Sequence, residues 1–82
     1  MIFDKNNNEV KIGSMIKVLF IDPGFISTFP RREARIIKKM VGKTFEVVDI
    51  EHEKALVTQP FDMLNSISLF IDSEEMELIN DN

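Results

Sequence analysis

One amphipathic segment, from Phe29 to Val41, constrains the fold of this chain more than any other part of the sequence. At about 100° per residue, its apolar side chains fall on one side of a helix and its five basic side chains fall on the other. Ser27 or Thr28 can supply the N-cap oxygen, and Gly42 is the residue expected just past the helix end. The sequence therefore predicts one helix with a buried apolar face and a solvent-facing basic face.

Short apolar stretches on both sides of this helix have the residue types and the alternation of β-strands. They predict strands over residues 14–21, 43–50, 54–59 and 67–71, and a short turn followed by a final edge strand over residues 74–78. Between Val47 and Val48 the apolar phase slips by one residue, which indicates a bulge or a strand that is buried on both faces. After the first strand, the order Asp22-Pro23-Gly24-Phe25 predicts a type II turn.

These elements predict a mainly β fold, a small five-stranded and partly open barrel with one helix between strands 1 and 2. A chain of 82 residues can bury one modest core, so we expect a single barrel domain over residues 10–79. Asn6-Asn7-Asn8 favours turns, and residues 1–9 are therefore expected to form a loosely ordered lead-in. Residues 80–82 are expected to be a C-terminal tail.

Composition removes several classes of function. The chain has no Cys, which excludes disulfides, thiolate metal sites and cysteine nucleophiles. It has no glycine-rich phosphate loop and no serine in a nucleophile-elbow setting, and the lone His52 makes no metal site. No apolar run approaches the ~18–20 residues that span a membrane, and no signal peptide is visible. We therefore expect a cytoplasmic protein that is not an enzyme and uses no catalytic residue, cofactor, metal or membrane.

Positive charge is concentrated in the predicted helix. Residues 31–43 carry six of the ten basic residues and one acid, a local charge of +5, whereas the whole chain carries −4 and the remainder therefore −9. Arg31 and Arg32 fall in the first turn, where the helix dipole disfavours cations. One interpretation is an ordinary solvated helix face. The other is a binding face for anions or an acidic protein, formed by Arg31, Arg32, Arg35, Lys38 and Lys39.

An apolar loop is the second candidate site. Phe61-Asp62-Met63-Leu64 lies between two predicted strands, where a loop has less reason than a strand to be apolar. We interpret Phe61 and Met63 as apolar contacts for a partner, or as part of a loop that folds back to cap the open end of the barrel. A wider soft apolar patch would also include Phe25, Phe70 and further Met residues.

Acidic residues crowd the end of the chain. The set comprises Asp72, Glu74, Glu75, Glu77 and Asp81. A solubilising edge and tail explains this set most simply. Two other arrangements satisfy the same charges: the acidic end folds onto the arginines of the helix, or it meets them head to tail in a second copy of the chain.

Four segments together resemble a family of uncharacterised bacterial domains that are similar to small Src-homology-3-like barrels. They are GSMIKVL at 13–19, MVGKTFEV at 40–47, SISL at 66–69 and EEMEL at 74–78. The resemblance covers most of residues 10–79 and implies a fold but very little chemistry. Peptide-binding barrels of the wider class dock proline-rich segments on Tyr and Trp side chains, and this chain has neither.

The function that these patterns favour is a small interaction module that binds a protein partner through the basic helix face and the apolar loop, as a monomer or weak homo-oligomer. The alternative is a nucleic-acid- or ribosome-associated barrel that binds phosphates through the same helix. An isoelectric point near 4.9 and the absence of an aromatic stacking platform beside the basic residues weigh against it. A third alternative is a structural subunit held in a complex through an edge strand.

Overall fold

The computed structural model describes residues 1–79. In chain order its elements are β1 (Ile2–Phe3), β2 (Glu9–Val10), β3 (Met15–Val18), α1 (Pro23–Ile26), α2 (Arg31–Met40), β4 (Thr44–Glu46), β5 (Asp49–Glu51), β6 (Lys54–Pro60), β7 (Ser66–Ile71), a 3₁₀ turn (Ser73–Glu75) and β8 (Met76–Leu78). All strand pairs are antiparallel: β1 with β2, β3 between β4 and β8, and β6 between β5 and β7.

The prediction of a mainly β fold is confirmed, with 38% of residues in strands and 22% in helices. The helix lies between the first predicted strand and the second, as expected. The prediction of five strands is wrong, because residues 1–79 form eight short strands in three antiparallel sheets, and these sheets do not form a closed barrel.

The two three-stranded sheets meet at a corner formed by Val47 and Val48. The Val47 N–H donates to the carbonyl of Ser14 beside β3 at 2.8 Å, whereas the Val48 N–H donates to the carbonyl of Leu56 in β6 at 2.9 Å. Val47 is fully buried and Val48 is exposed. The slip in the apolar phase therefore marks the point where the chain leaves one sheet for the other, not a bulge in a continuous strand.

One apolar core joins the sheets and α2. It draws fully buried side chains from β3, α2, the corner, β6, β7 and β8, among them Ile16, Ile37, Met40, Val47, Val57, Ile71 and Met76. In α2 the buried residues are Ile37 and Met40, one turn apart on the same face. This contact fixes which face of α2 points to solvent.

A short hairpin, β1–β2, occupies the segment expected to be a loosely ordered lead-in. Asp4, in its turn, is only 2% exposed. The Asp4 carboxylate accepts hydrogen bonds from the backbone N–H groups of Asn6 (2.9 Å), Asn8 (2.8 Å) and, at the far end of the chain, Leu78 (2.7 Å). These bonds attach the hairpin to the edge of β8, so the N-terminal residues cover part of an otherwise open sheet edge.

The segment predicted to be a type II turn is instead a one-turn helix, α1. Pro23 occupies its first turn, where a missing N–H costs nothing, and the Gly24 N–H donates to the Asp22 carboxylate at 3.3 Å. Gly24 does not have the positive φ that a type II turn requires at that position. The N-cap and the proline at the helix start decide the conformation here.

The observed helix α2, Arg31–Met40, is shorter at both ends than the predicted segment from Phe29 to Val41. The hydroxyls of Ser27 and Thr28 donate to carbonyls of α1 at 2.7 Å, so neither caps α2, which begins after Pro30 without a side-chain cap. At the other end Gly42 lies just past the helix with φ of +89°, as expected.

The turn between β5 and β6 stores backbone strain that substitution should release. β5 and β6 pair Glu51 with Lys54, which leaves a two-residue loop in which His52 and Glu53 have φ of +52° and +62°. Positive φ at both positions is typical of a type I′ turn, which prefers Asn-Gly. The double variant His52→Asn/Glu53→Gly should raise the free energy of unfolding by about 1 kcal/mol, or the melting temperature by about 4–8 °C.

Thermal unfolding followed by circular dichroism measures this effect. Glu53→Ala is the matched control, because it removes the carboxylate and keeps a Cβ at the left-handed position. An equal gain in the control would show that charge, not backbone strain, limits this turn.

Candidate functional site

The basic residues of α2 form a single exposed surface. Because Ile37 and Met40 are buried against the core, the opposite side of the helix faces solvent. We call its five exposed cations the basic face: Arg31, Arg32, Arg35, Lys38 and Lys39. The structure thus places all five sequence-predicted basic residues where a large partner can reach them.

The loop between β6 and β7 is a hydrogen-bonded turn organised by Asp62. Its carboxylate accepts from the backbone N–H groups of Leu64 and Asn65, both at 2.9 Å, and from the Asn65 side-chain amide at 3.0 Å. The Phe61 N–H closes the loop by donating to the Asn65 carbonyl at 3.1 Å. The Asn65 amide and the Leu64 N–H hold the pKa of Asp62 below its ordinary value of 3.8. The loop therefore has one preferred shape.

Arg32 joins this loop to the basic face. Its guanidinium lies 3.2 Å from the Asp62 carboxylate, and the guanidinium carbon lies 5.1 Å from the centre of the Phe61 ring. Both contacts are of attractive type, an ion pair and a cation–π contact. The structure therefore brings together Arg32 and Phe61, two residues that the sequence places 29 positions apart. It also gives Arg32, disfavoured by the helix dipole, a compensating partner.

The end of the loop exposes two large apolar side chains. Met63 is 99% exposed and Leu64 is 92% exposed, whereas Phe61 is half-buried and packs against the core. We call Met63 and Leu64 the apolar tip. The two predicted apolar contacts of this loop therefore differ: Phe61 packs against the core, whereas Met63 projects into solvent. Leu64 was not among the candidate residues, although its position beside Met63 in the same apolar loop was a visible signal.

Within residues 1–79, the acidic end of the chain forms no ion pair with the arginines of α2. Asp72 instead forms an ion pair with Lys54, at 3.3 Å, and its backbone N–H donates to the Glu75 carboxylate at 2.9 Å. Asp72 and Glu75 form a reciprocal capping box around the 3₁₀ turn. Asp81 lies outside the described residues.

A groove of about 390 Å³ lies beside these carboxylates. Phe25 and Phe29 line it, with ring centres 5.2 Å apart in an edge-to-face arrangement, and Phe70 of β7 lines it as well. Phe25 and Phe70 are each nearly half exposed. We call this site, with carboxylates and one lysine at its rim, the acidic groove; its charged residues are Asp22, Lys54, Asp72 and Glu75.

The soft apolar patch expected from the sequence is not a single surface. Phe25 and Phe70 line the acidic groove, whereas Phe61 packs in the loop beside α2. Met40 and Met76 are fully buried in the core. The exposed members of the predicted patch are therefore divided between the apolar tip, which contains Met63, and the acidic groove, which contains Phe25 and Phe70.

Among residues 1–79, no group of three or more His, Asp or Glu side chains is arranged to hold a metal ion. In the same residues, no helix has both the length and the apolar character needed to cross a bilayer. Comparisons with protein-family models, curated proteins and solved structures find no match for this chain.

Proposed function

We propose that this protein is a non-catalytic interaction module that binds an acidic, partly apolar surface of a protein partner. The basic face and the apolar tip form the contact, with Phe61 and Arg32 as the support beneath the tip. We also propose that the protein belongs to the Src-homology-3-like fold class. Two three-stranded antiparallel sheets joined at a corner, with a helix inserted between β3 and β4, support this part of the proposal.

The observation that carries the proposal is the near-complete exposure of Met63 and Leu64 on a turn that hydrogen bonds hold in place. Burying such a side chain contributes roughly 1.5–3 kcal/mol of favourable free energy. The free protein lacks this contribution at both positions. A fixed turn also loses little conformational entropy when it binds. Large apolar side chains at the centre of a contact, rimmed by charged residues, are the usual arrangement of a protein interface.

The charge of the basic face determines the kind of partner. Five exposed cations beside the tip attract an acidic surface, speed its encounter with the protein and repel basic competitors. The apolar tip then supplies the part of the affinity that survives physiological salt, because screening weakens the exposed charges.

Binding of nucleic acid is the second candidate function, favoured by the same five exposed cations. Phe61, whose ring contacts one of them, is half-buried and lies under the Arg32 guanidinium, so it offers no free face for a base. Phosphate contacts alone would have to hold RNA or DNA, and such binding falls steeply as salt rises. The apolar tip has no role in that mode.

The double variant Met63→Ser/Leu64→Ser separates the two functions. An amide-resolved NMR titration with a synthetic amphipathic peptide of Glu and Leu residues should shift amides in residues 31–39 and 62–65 at physiological salt. In the double variant we expect affinity for the peptide to fall about tenfold or more. The free energy of unfolding should change by less than about 0.5 kcal/mol, because both side chains are exposed.

Ile12→Ser is the matched control, since Ile12 is 63% exposed and belongs to neither surface. The same titration is repeated with single-stranded RNA at low and physiological salt. Equal affinity of wild type and double variant for the peptide would contradict the proposal. RNA shifts that persist at physiological salt, with equal affinity in wild type and double variant, would establish the nucleic-acid function instead.

A further inference from the structure

The apolar tip and the acidic groove lie toward opposite ends of one hairpin. The tip is in the loop that joins β6 to β7, whereas the groove rim includes Lys54 at the start of β6 and Asp72 just after β7. The six residues of β7 span about 20 Å. Since the turn is fixed by Asp62, the tip cannot reach the rim of the groove in its own chain.

The two sites are complementary in charge. Three carboxylates and Lys54 give the groove rim a net charge of −2, counting Asp22, Asp72 and Glu75 as ionised. Residues 31–43, which include the whole basic face, carry +5. The protein therefore has two separate surfaces of opposite charge. Within residues 1–79, the two internal ion pairs involve only part of the charge on each surface.

The two sites are also complementary in their apolar parts. The tip projects a thioether and a branched aliphatic side chain, and the groove has room of about 390 Å³ between Phe25, Phe29 and Phe70. That volume lies in the range of sites that enclose apolar groups. Methionine sulfur next to aromatic rings is a favourable contact, and exposed phenylalanine rings gain most from being covered.

We infer that the partner of the apolar tip is a second copy of this chain, whose acidic groove receives the tip while its rim carboxylates face the basic face of the first copy. The inference rests on the proposed function, because it uses the same surface. The contact joins two different surfaces of the protein, so it is heterologous. Each copy keeps one free tip and one free groove, and association continues into a ring or an open chain.

Sedimentation velocity of mixed variants tests this arrangement. The tip variant Met63→Ser/Leu64→Ser loses the apolar tip and keeps the acidic groove. The groove variant Phe70→Ser keeps the apolar tip and loses one ring of the groove, and Phe70 is 45% exposed. Wild type should show a weight-average mass that rises with concentration. Each variant alone should stay monomeric, whereas an equimolar mixture should form a 1:1 dimer that does not grow further, because a single functional interface remains.

Two additional measurements sharpen the result. Raising salt should weaken wild-type association, and Arg35→Glu should weaken it about tenfold or more, because it places like charges opposite each other. Phe25→Ser is a second groove variant, in case Phe70→Ser unfolds, and Ile12→Ser should associate as wild type does. Circular dichroism confirms that every variant is folded.

A wild type that stays monomeric at concentrations on the order of 1 mM would overturn the inference. So would a mixture of tip and groove variants that remains monomeric, or a tip variant that associates as wild type does. These failures are distinct from failure of the proposed function. The peptide titration uses a foreign acidic probe, and binding of that probe to the tip would stand even if the groove of a second copy did not accept it.

Discussion

Replacing Asp4 by alanine should lower the free energy of unfolding by about 3 kcal/mol. The substitution removes a carboxylate that is 2% exposed and accepts three short backbone hydrogen bonds, from Asn6, Asn8 and Leu78. The donors at Asn6 and Asn8 hold the β1–β2 turn, and the donor at Leu78 holds that turn against β8. Without the carboxylate these N–H groups lose their acceptor, and a part-buried donor without a partner is costly.

A loss of this size is a large fraction of the total stability of so small a protein. Domains have about 0.05–0.15 kcal/mol of stability per residue, which gives about 4–12 kcal/mol here. The melting temperature should fall by more than about 10 °C. Urea unfolding followed by circular dichroism measures the change. Asn7→Gly serves as the control, since it alters the same turn, accepts the φ of +65° at that position and leaves the carboxylate in place.

The pH dependence of stability identifies the charge as the cause. Burial raises the pKa of Asp4, but hydrogen bonds from Leu78, Asn8 and Asn6 outweigh it and hold the pKa below the ordinary value of 3.8. A carboxyl with a lowered pKa stabilises the folded state above its unfolded pKa. That contribution is lost as pH falls through the lower, folded pKa.

Asp4→Asn isolates this contribution, because it keeps the shape and one acceptor oxygen and cannot ionise. The difference in free energy of unfolding between wild type and Asp4→Asn should have its largest value above about pH 5. It should decrease as pH falls below about 4. Urea unfolding at a series of pH values measures this difference. A difference of constant size would show that hydrogen-bond geometry alone, with no contribution from charge, holds the hairpin.

Asp4 also shows where inference from sequence ends in this protein. The donor that makes its carboxylate important, the Leu78 N–H, lies 74 residues away. Asn6-Asn7-Asn8 correctly indicates a turn, and φ of +65° at Asn7 is the left-handed conformation that such residues tolerate. The local sequence predicts the turn, but it does not indicate the strand against which the turn packs.

The helix could be predicted because its evidence is local. Apolar residues at helical spacing specify which face is buried, and the basic face follows as the opposite side. The corner at Val47 and Val48 was visible as a slip in alternation, but both interpretations assumed one continuous strand. Which sheet each N–H joins depends on Ser14 and Leu56, and the sequence does not show that pairing.

The loop was predicted as a site but not as a shape. Phe61 and Met63 have similar hydrophobic character in the sequence, yet one packs inward under Arg32 and the other is fully exposed. The difference comes from the Asp62 carboxylate, which turns the chain back on itself between them. The acidic groove could not be predicted from the sequence, because it combines α1, β6, β7 and the 3₁₀ turn, four segments with no common sequence pattern.

Replacing Ile37 by alanine should also cost about 3 kcal/mol, within the 2–5 kcal/mol typical of such truncations in a packed core. Ile37 is completely buried, and with Met40 it forms the fully buried part of α2. Removing its branched side chain leaves a cavity between α2 and the sheets, which the short strands around it can close only in part. Urea unfolding measures the loss, with Lys38→Ala as the neighbouring exposed control, expected to change stability by less than about 0.5 kcal/mol.

The same variant tests how the basic face is held in position. Amide hydrogen exchange in Ile37→Ala should speed up across α2 more than in β6 and β7, since the helix loses its main contact while the β6–β7 pairing is kept. Arg32 would then lose its fixed position over Phe61, and affinity for an acidic probe should fall although no basic residue has changed. If α2 stayed protected and affinity were retained, the ion pair of Arg32 with Asp62, not the core, would be what orients the basic face.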